Sequence, residues 1–180
     1  MKVSIDETQS VLRLLTATPR RIASLSRRVQ ESKLYFRPHP DSWSANDILA
    51  HLRACADVWG KSIKAMITQD HPTLRYISPR GWIRKTDYPA LEFGISLQAF
   101  TDQRRELLRE LKGLSIKAWS RRATFTATTR GRDQTVFSYA CRIADHEIKH
   151  CGQIEAVLKA ASESNSGVER RARVGVRRDT

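Results

Sequence analysis

Apolar positions recur at helical spacing in four stretches of this chain. Over about residues 6–32, Val11, Leu15, Ile22, Leu25 and Val29 fall near one face at a period of about 3.6. Pro19 lies inside that stretch and predicts a kink or the start of a new turn, because proline lacks an N–H and its ring crowds the preceding turn. A second helix is predicted from Ser44 to about residue 70, where Ser44 and Asp47 have the spacing of a capping box with Asp in place of Glu. Its stripe holds Ile48, His51, Cys55, Val58, Trp59, Ser62 and Met66, with Gly60 tolerated at a modest helix cost. A third, over about residues 96–111, turns Leu97, Phe100, Leu107, Leu108 and Leu111 inward and leaves Glu106, Arg109 and Glu110 to water. The fourth starts near Asp133 or Thr135 and runs to about Ala161.

The segments between them differ in kind. "YFRPHPDSW" is a loop on its prolines and Asp-Ser pair. Residues 71–93 carry Pro72, Pro79, Gly81 and Pro89 and predict a long irregular connection, so the second and third helices are not antiparallel neighbours joined by a tight turn. The same stretch has the length to form a lid. "ATFTATT" alternates like a short hairpin strand, with "RGRD" as its turn. From residue 163 the chain is polar and Arg-rich with little to bury. The predicted division is therefore a helical domain over 1–162 and a disordered basic tail over 163–180.

The fourth stripe contains an oddity. Measured from His146 at about 100° per residue, His150 lies at about 40°, Gln153 at about −20°, Val157 and Tyr139 at about 20° and Ile143 at about 60°. The two histidines lie within the apolar face, one turn apart, and His51 sits equally deep in the second stripe. A single histidine on such a face is ordinarily a core residue. If both stripes face one core, three of them converge from two helices and bury ring nitrogens that each need a partner, and an unpaired buried polar group costs about 1–3 kcal/mol. One divalent cation would satisfy all three.

Composition narrows the classes without choosing among them. The 180 residues suffice for one domain with a real core, and the hydrophobic and charged fractions of 40% and 28% are those of an ordinary globular chain. No apolar run is long enough to cross a bilayer, and "MKVSIDETQS" lacks the apolar segment of a signal peptide, so a cytoplasmic location is the expectation. Three cysteines with no CxxC spacing predict no disulfide framework and read as small buried residues. The net charge of +13 raises nucleic-acid binding. The cations are spread along the chain rather than interleaved with aromatics, so a basic solvated surface is the preferred reading.

"SWSANDILAHL", followed far downstream by "ADHEIKHCGQIE", resembles the DinB-like (DinB/YfiT) superfamily, which includes hydrolases and thiol transferases. The matching positions are Trp43, Ser44, His51, His146, His150 and Gln153, and "TPRR" and "RGRDQTVFSYACRIADH" fit as well. The likeness covers about residues 6–161. It implies an all-α four-helix bundle of up-down-down-up connectivity, whose long connection falls between helices 2 and 3. It also implies a divalent metal (Zn, Ni or Fe) held by His51, His146 and His150.

Three neutral imidazoles leave coordination positions open, which is the pattern of catalytic rather than structural zinc. The expected chemistry is metal-dependent hydrolysis, or transfer to a low-molecular-weight thiol, on a small-molecule substrate. No catalytic residue beyond the metal ligands is assigned. Cys55, one turn beyond His51, is within reach as a fourth ligand, but its preferred reading is a small core residue. Asp47 is read as a cap ahead of a partner for His51. Arg142 is read as a surface side chain ahead of an anchor for an anionic substrate. Asp145 and Glu147 are predicted to be solvated. The four tryptophans are read as core or pocket-rim residues. The competing functions are a metal-binding stress or partner-binding bundle without turnover and, last, a basic nucleic-acid-binding protein. A homodimer through an exposed helix face is the expected assembly.

Overall fold

Two serines start the first two long helices. Ser4 Oγ accepts from the Glu7 N–H while the Glu7 carboxylate accepts from the Ser4 N–H, and Ser44 and Asp47 repeat the same exchange. Each exchange satisfies two of the N–H groups that a helix start otherwise leaves bare. The computed structural model describes residues 3–127 and 133–175, with side chains as far as residue 164.

In chain order the helices are α1 (Ile5–Ser26), α2 (Glu31–Leu34), α3 (Ala45–Thr68), α4 (Pro79–Ile83), α5 (Phe93–Lys112) and α6 (Val136–Gly175). The strands are β1 (Thr73–Arg75), β2 (Arg122–Thr126) and β3 (Asp133–Thr135), and two 3₁₀ turns lie at Tyr88–Ala90 and Ile116–Ser120. α1, α3, α5 and α6 are the long helices, so the all-α bundle is present. α1 passes through Pro19 as one helix and ends at Ser26. The apolar period that runs on to Val29 belongs to a turn before the separate α2. α5 starts at Phe93, ahead of its periodic stripe. α6 is described to Gly175, past the point where the sequence reading places a tail, and residues 176–180 lie outside the described ones.

The direction of each helix follows from two buried apolar clusters. One gathers Val11 and Leu15 of α1, Cys55 to Met66 of α3, Leu107 to Leu111 of α5 and Val136 to Ala144 of α6. The other gathers Ile22, Ile48 to Leu52, Phe93 and Phe100, and Cys151 to Leu158. α1 and α6 therefore run from the first cluster to the second, and α3 and α5 run the other way. The connectivity is up-down-down-up. α3 packs on α5 and α6, and α1 packs on the same two. Because α3 and α5 are parallel neighbours, the chain must travel the length of the bundle between them, which is why residues 71–92 cannot be a tight turn.

That crossover has structure. β1 pairs in parallel with β2, and β2 pairs antiparallel with β3, giving a three-stranded sheet of order β1-β2-β3. The hairpin strand expected in "ATFTATT" is β2 in part, whereas β3 occupies residues expected to begin the fourth helix, and the expected "RGRD" turn lies largely outside the described residues. Alternation within residues 122–126 cannot show that a distant strand pairs on the other edge. The sheet covers one end of the bundle, with Ala123 and Phe125 buried and the Phe125 ring stacked 5.2 Å from Tyr139 of α6. The rest of the crossover is tied to α3. Asn46 Nδ2 donates to the carbonyls of Pro89 and Leu91. The Asp57 carboxylate accepts from Trp82 Nε1, Tyr88 Oη and Gln103 Nε2, and the Arg53 guanidinium lies 3.8 Å over the Tyr88 ring.

Candidate metal centre

On α3 the first apolar cluster begins at Cys55 and the second ends at Leu52. On α6 the first ends at Ala144 and the second begins at Cys151. His51, His146 and His150 fall at this junction, on two antiparallel helices whose stripes face each other. The structure brings all three together. His146 Nε2 stands 3.4 Å from His51 Nε2 and 3.1 Å from His150 Nε2. The ring centroids of His51 and His150 are 5.0 Å apart. Cys55 Sγ joins the group at 3.4 Å from His51 Nε2. The ligand atoms of His51, Cys55 and His146 all lie within 4.8 Å of one another, so these residues could hold a metal ion.

The donor set fits a divalent metal. Metal–nitrogen bonds of about 2.0–2.1 Å at angles between octahedral and tetrahedral place ligand nitrogens about 2.8–3.4 Å apart, a range that holds both spacings around His146 Nε2. The rings are also in the required state, since only a neutral imidazole has a lone pair to give. Burial, then the charge of His150, then that of Arg80 hold His51 at about 4. Burial and the neighbouring His150 and His51 hold His146 at about 3. Burial lowers His150 too, against an opposing contribution from the Gln153 side chain. The Nδ1 atoms of His51 and His146 are buried with no protein partner among the described residues. The orientation of those rings therefore rests on packing.

Two tryptophans supply that packing. Trp43 lies 5.1 Å from the His51 ring and stacks at 6.3 Å on His150, while Trp59 meets His146 edge-on at 4.7 Å. Trp59 is buried; Trp43, at 37% exposed, forms the rim. Trp119 is core and Trp82 half-buried, so the core-or-rim reading of the four fits. Burial, reinforced by the Glu147 charge, pushes the Cys55 thiol far up, so that without a metal it remains a neutral thiol.

Other residues singled out in the sequence fall as follows. Asp47 caps α3 and takes both arms of Arg37 at 3.0 Å, so it is not available to His51. Gln153 is exposed beside His150. Arg142 is half-buried with its guanidinium over the rings of Trp59 and Tyr139, rather than free at the surface. Glu147 corrects the expectation of a solvated side chain. It is 2% exposed and paired with Arg104 of α5, itself 2% exposed. Two faces of α6 are buried, one on α3 and one against α1 and α5, and a wheel centred on His146 shows only the first. Arg104, Asp57 and Arg80 were missed. The one available signal was for Arg104, which lies at helical spacing between Phe100 and Leu107.

A family model described as the DinB superfamily matches residues 14–154. Among solved structures, YfiT from Bacillus subtilis, described as a probable metal-dependent hydrolase with an unusual four-helix bundle topology, superposes with a TM-score of 0.76. The two are 15% identical over 87% of this chain and 89% of that one. A DinB-like protein, YjoA, also from Bacillus subtilis, gives a TM-score of 0.57 at 13% identity over 83% of this chain and 90% of that one. No curated protein matches the sequence. The matched span runs from α1 through both halves of the histidine cluster, and the chain belongs to the DinB superfamily.

Proposed function

We propose that His51, His146 and His150 hold one divalent metal ion, and that the chain is a metal-dependent enzyme acting on a small molecule by thiol transfer or hydrolysis. The observation that supports this is the gathering of three neutral imidazoles, with the Nε2 atoms of His51 and His150 each at coordination-shell spacing from that of His146. The set suits Zn, Ni or Fe. A metal bound there would supply Lewis acidity, lowering the pKa of a water or thiol that joins it. The description of YfiT as a probable metal-dependent hydrolase points the same way.

The chain's own residues set the conditions for that chemistry. Trp43 and Trp59 exclude bulk water from two sides of the rings. The histidines contribute no charge, so the cation's field is not offset by its ligands. Cys55 packs beside the set as a protonated thiol, and we place it outside the ligands. Asp47, Asp57 and Glu147 are each committed to partners and do not serve as general bases. Thiol transfer needs only a thiolate, whereas hydrolysis gains from a base that orients water. The committed carboxylates therefore favour thiol transfer.

The test is metal content of the untagged full-length protein after exposure to Zn, Ni and Fe salts. About one ion per chain is expected. His51→Ala, His146→Ala and His150→Ala should each reduce it to a trace, and Cys55→Ser should leave it unchanged. Only traces in the wild type, unaltered by His51→Ala, would overturn the metal reading. Loss of metal in Cys55→Ser would close the set with sulfur. Turnover is then sought with low-molecular-weight thiols and electrophiles, and dependence on all three histidines is expected.

A further inference from the structure

Each tryptophan that flanks the triad carries a guanidinium. Arg80 Cζ lies 5.7 Å from the Trp43 ring, which is 5.1 Å from His51. Arg142 Cζ lies 5.5 Å from the Trp59 ring, which is 4.7 Å from His146. Arg80 comes from α4 in the crossover and Arg142 from α6, so two separate elements bring cations to one site. Neither has a carboxylate partner among the described residues.

The placement of Arg80 is built. Pro79 is buried at the start of α4, and Trp82, three residues on, donates to Asp57 of α3. The turn that carries Arg80 is thus held by the same anchors as the crossover, and the exposed Arg80 side chain reaches from it to the face of Trp43. Charge balance adds to the argument. Three neutral imidazoles and a neutral thiol contribute nothing negative, Asp47, Asp57 and Glu147 are paired, and the one other carboxylate nearby is Asp145, exposed beside Arg142, so two guanidiniums face a single free carboxylate. The positive charge at this mouth is left for a ligand to neutralise.

We propose that the open side of the histidine cluster takes a small organic anion, whose carboxylate is held by Arg80 and Arg142, and that these two residues select carboxylate-bearing substrates over neutral ones. Guanidinium pairs suit carboxylate because their planar forks match its two oxygens. The proposal rests on the metal reading for what happens to the substrate, but not for its capture.

The two can be tested apart. Succinate and its uncharged analogue succinamide are titrated calorimetrically into full-length protein at low salt, in metal-free and zinc-loaded forms. Succinate should bind and succinamide should not, and added salt should weaken succinate binding. Arg80→Gln and Arg142→Gln should each weaken it about ten-fold, with unchanged circular dichroism. Arg142→Lys, which keeps the charge, should retain most of the affinity. Arg105→Gln, which removes the same charge from the α1–α5 face, should have no effect. Equal binding of succinate and succinamide, no succinate binding to either form, or wild-type affinity in both glutamine variants would overturn the proposal. Failure of the metal reading would show instead as metal content insensitive to His51→Ala, with arginine-dependent succinate binding intact.

Discussion

His51 and His146 are kept neutral by burial, and this sets an acid limit for the metal-free protein. Their ordinary value is 6.5, and in the fold they stand at about 4 and about 3. The unfolded chain therefore takes up protons first as pH falls. Stability contributed by these groups is fully present above about 6.5 and is lost as pH drops through the range down to 4 and 3. Thermal melts of the metal-free protein should show falling midpoints across that range. The decline should be shallower in His146→Gln, which removes one of the groups. Midpoints that stay flat from pH 7 to pH 4 would contradict the burial of the rings.

At the scale of elements, the Arg104–Glu147 pair joins α5 to α6 in the interior. Burial pushes the Glu147 carboxyl up, against the pull of Arg104 and Thr18, and the pair persists because neither charge has water as an alternative. Removing one member leaves the other buried and unpaired, which costs about 3–5 kcal/mol, whereas replacing both by apolar residues of similar volume is close to neutral. Denaturant unfolding should accordingly show Arg104→Met as strongly destabilised and the double variant with Glu147→Leu as largely restored. Additive losses would contradict the pairing.

This pair also marks where sequence reading stops. The capping box at Ser44, the apolar stripes of α3 and α6, and the place of each histidine on its stripe were legible because each is a local pattern, whereas joining His51 to the distant His146 and His150 rested on the family resemblance. Glu147 was not, since its burial depends on a second packed face of α6. The Asp57 anchor was equally hidden, because its partners Trp82, Tyr88 and Gln103 come from three other segments of the chain.

Across the whole molecule, the proposed metal joins helices whose ligands are far apart in the chain, His51 and His146 being separated by 95 residues. An ion that binds only the folded form stabilises it by mass action, by about 4 kcal/mol at a thousand-fold excess over its dissociation constant. For a chain of this size that corresponds to a rise in thermal midpoint of about 8–16 °C. The rise should be seen by calorimetry on adding zinc and be absent in His150→Ala. Among the described residues no helix is long and apolar enough to cross a membrane.

One junction governs how α6 presents its two histidines. β3 ends at Thr135 and α6 begins at Val136, whose N–H donates to the Arg121 carbonyl at 2.9 Å. There is no linker between sheet and helix to absorb an error, so the strand register acts as the index mark for the helix's rotation about its own axis. One residue added at this point would turn everything after it by about 100°. His146 and His150 would leave the junction facing α3 together, and an exposed pair of positions would take their place. A single alanine inserted after Thr135 should therefore abolish metal binding as completely as losing both histidines, although every residue of the site would still be in the chain.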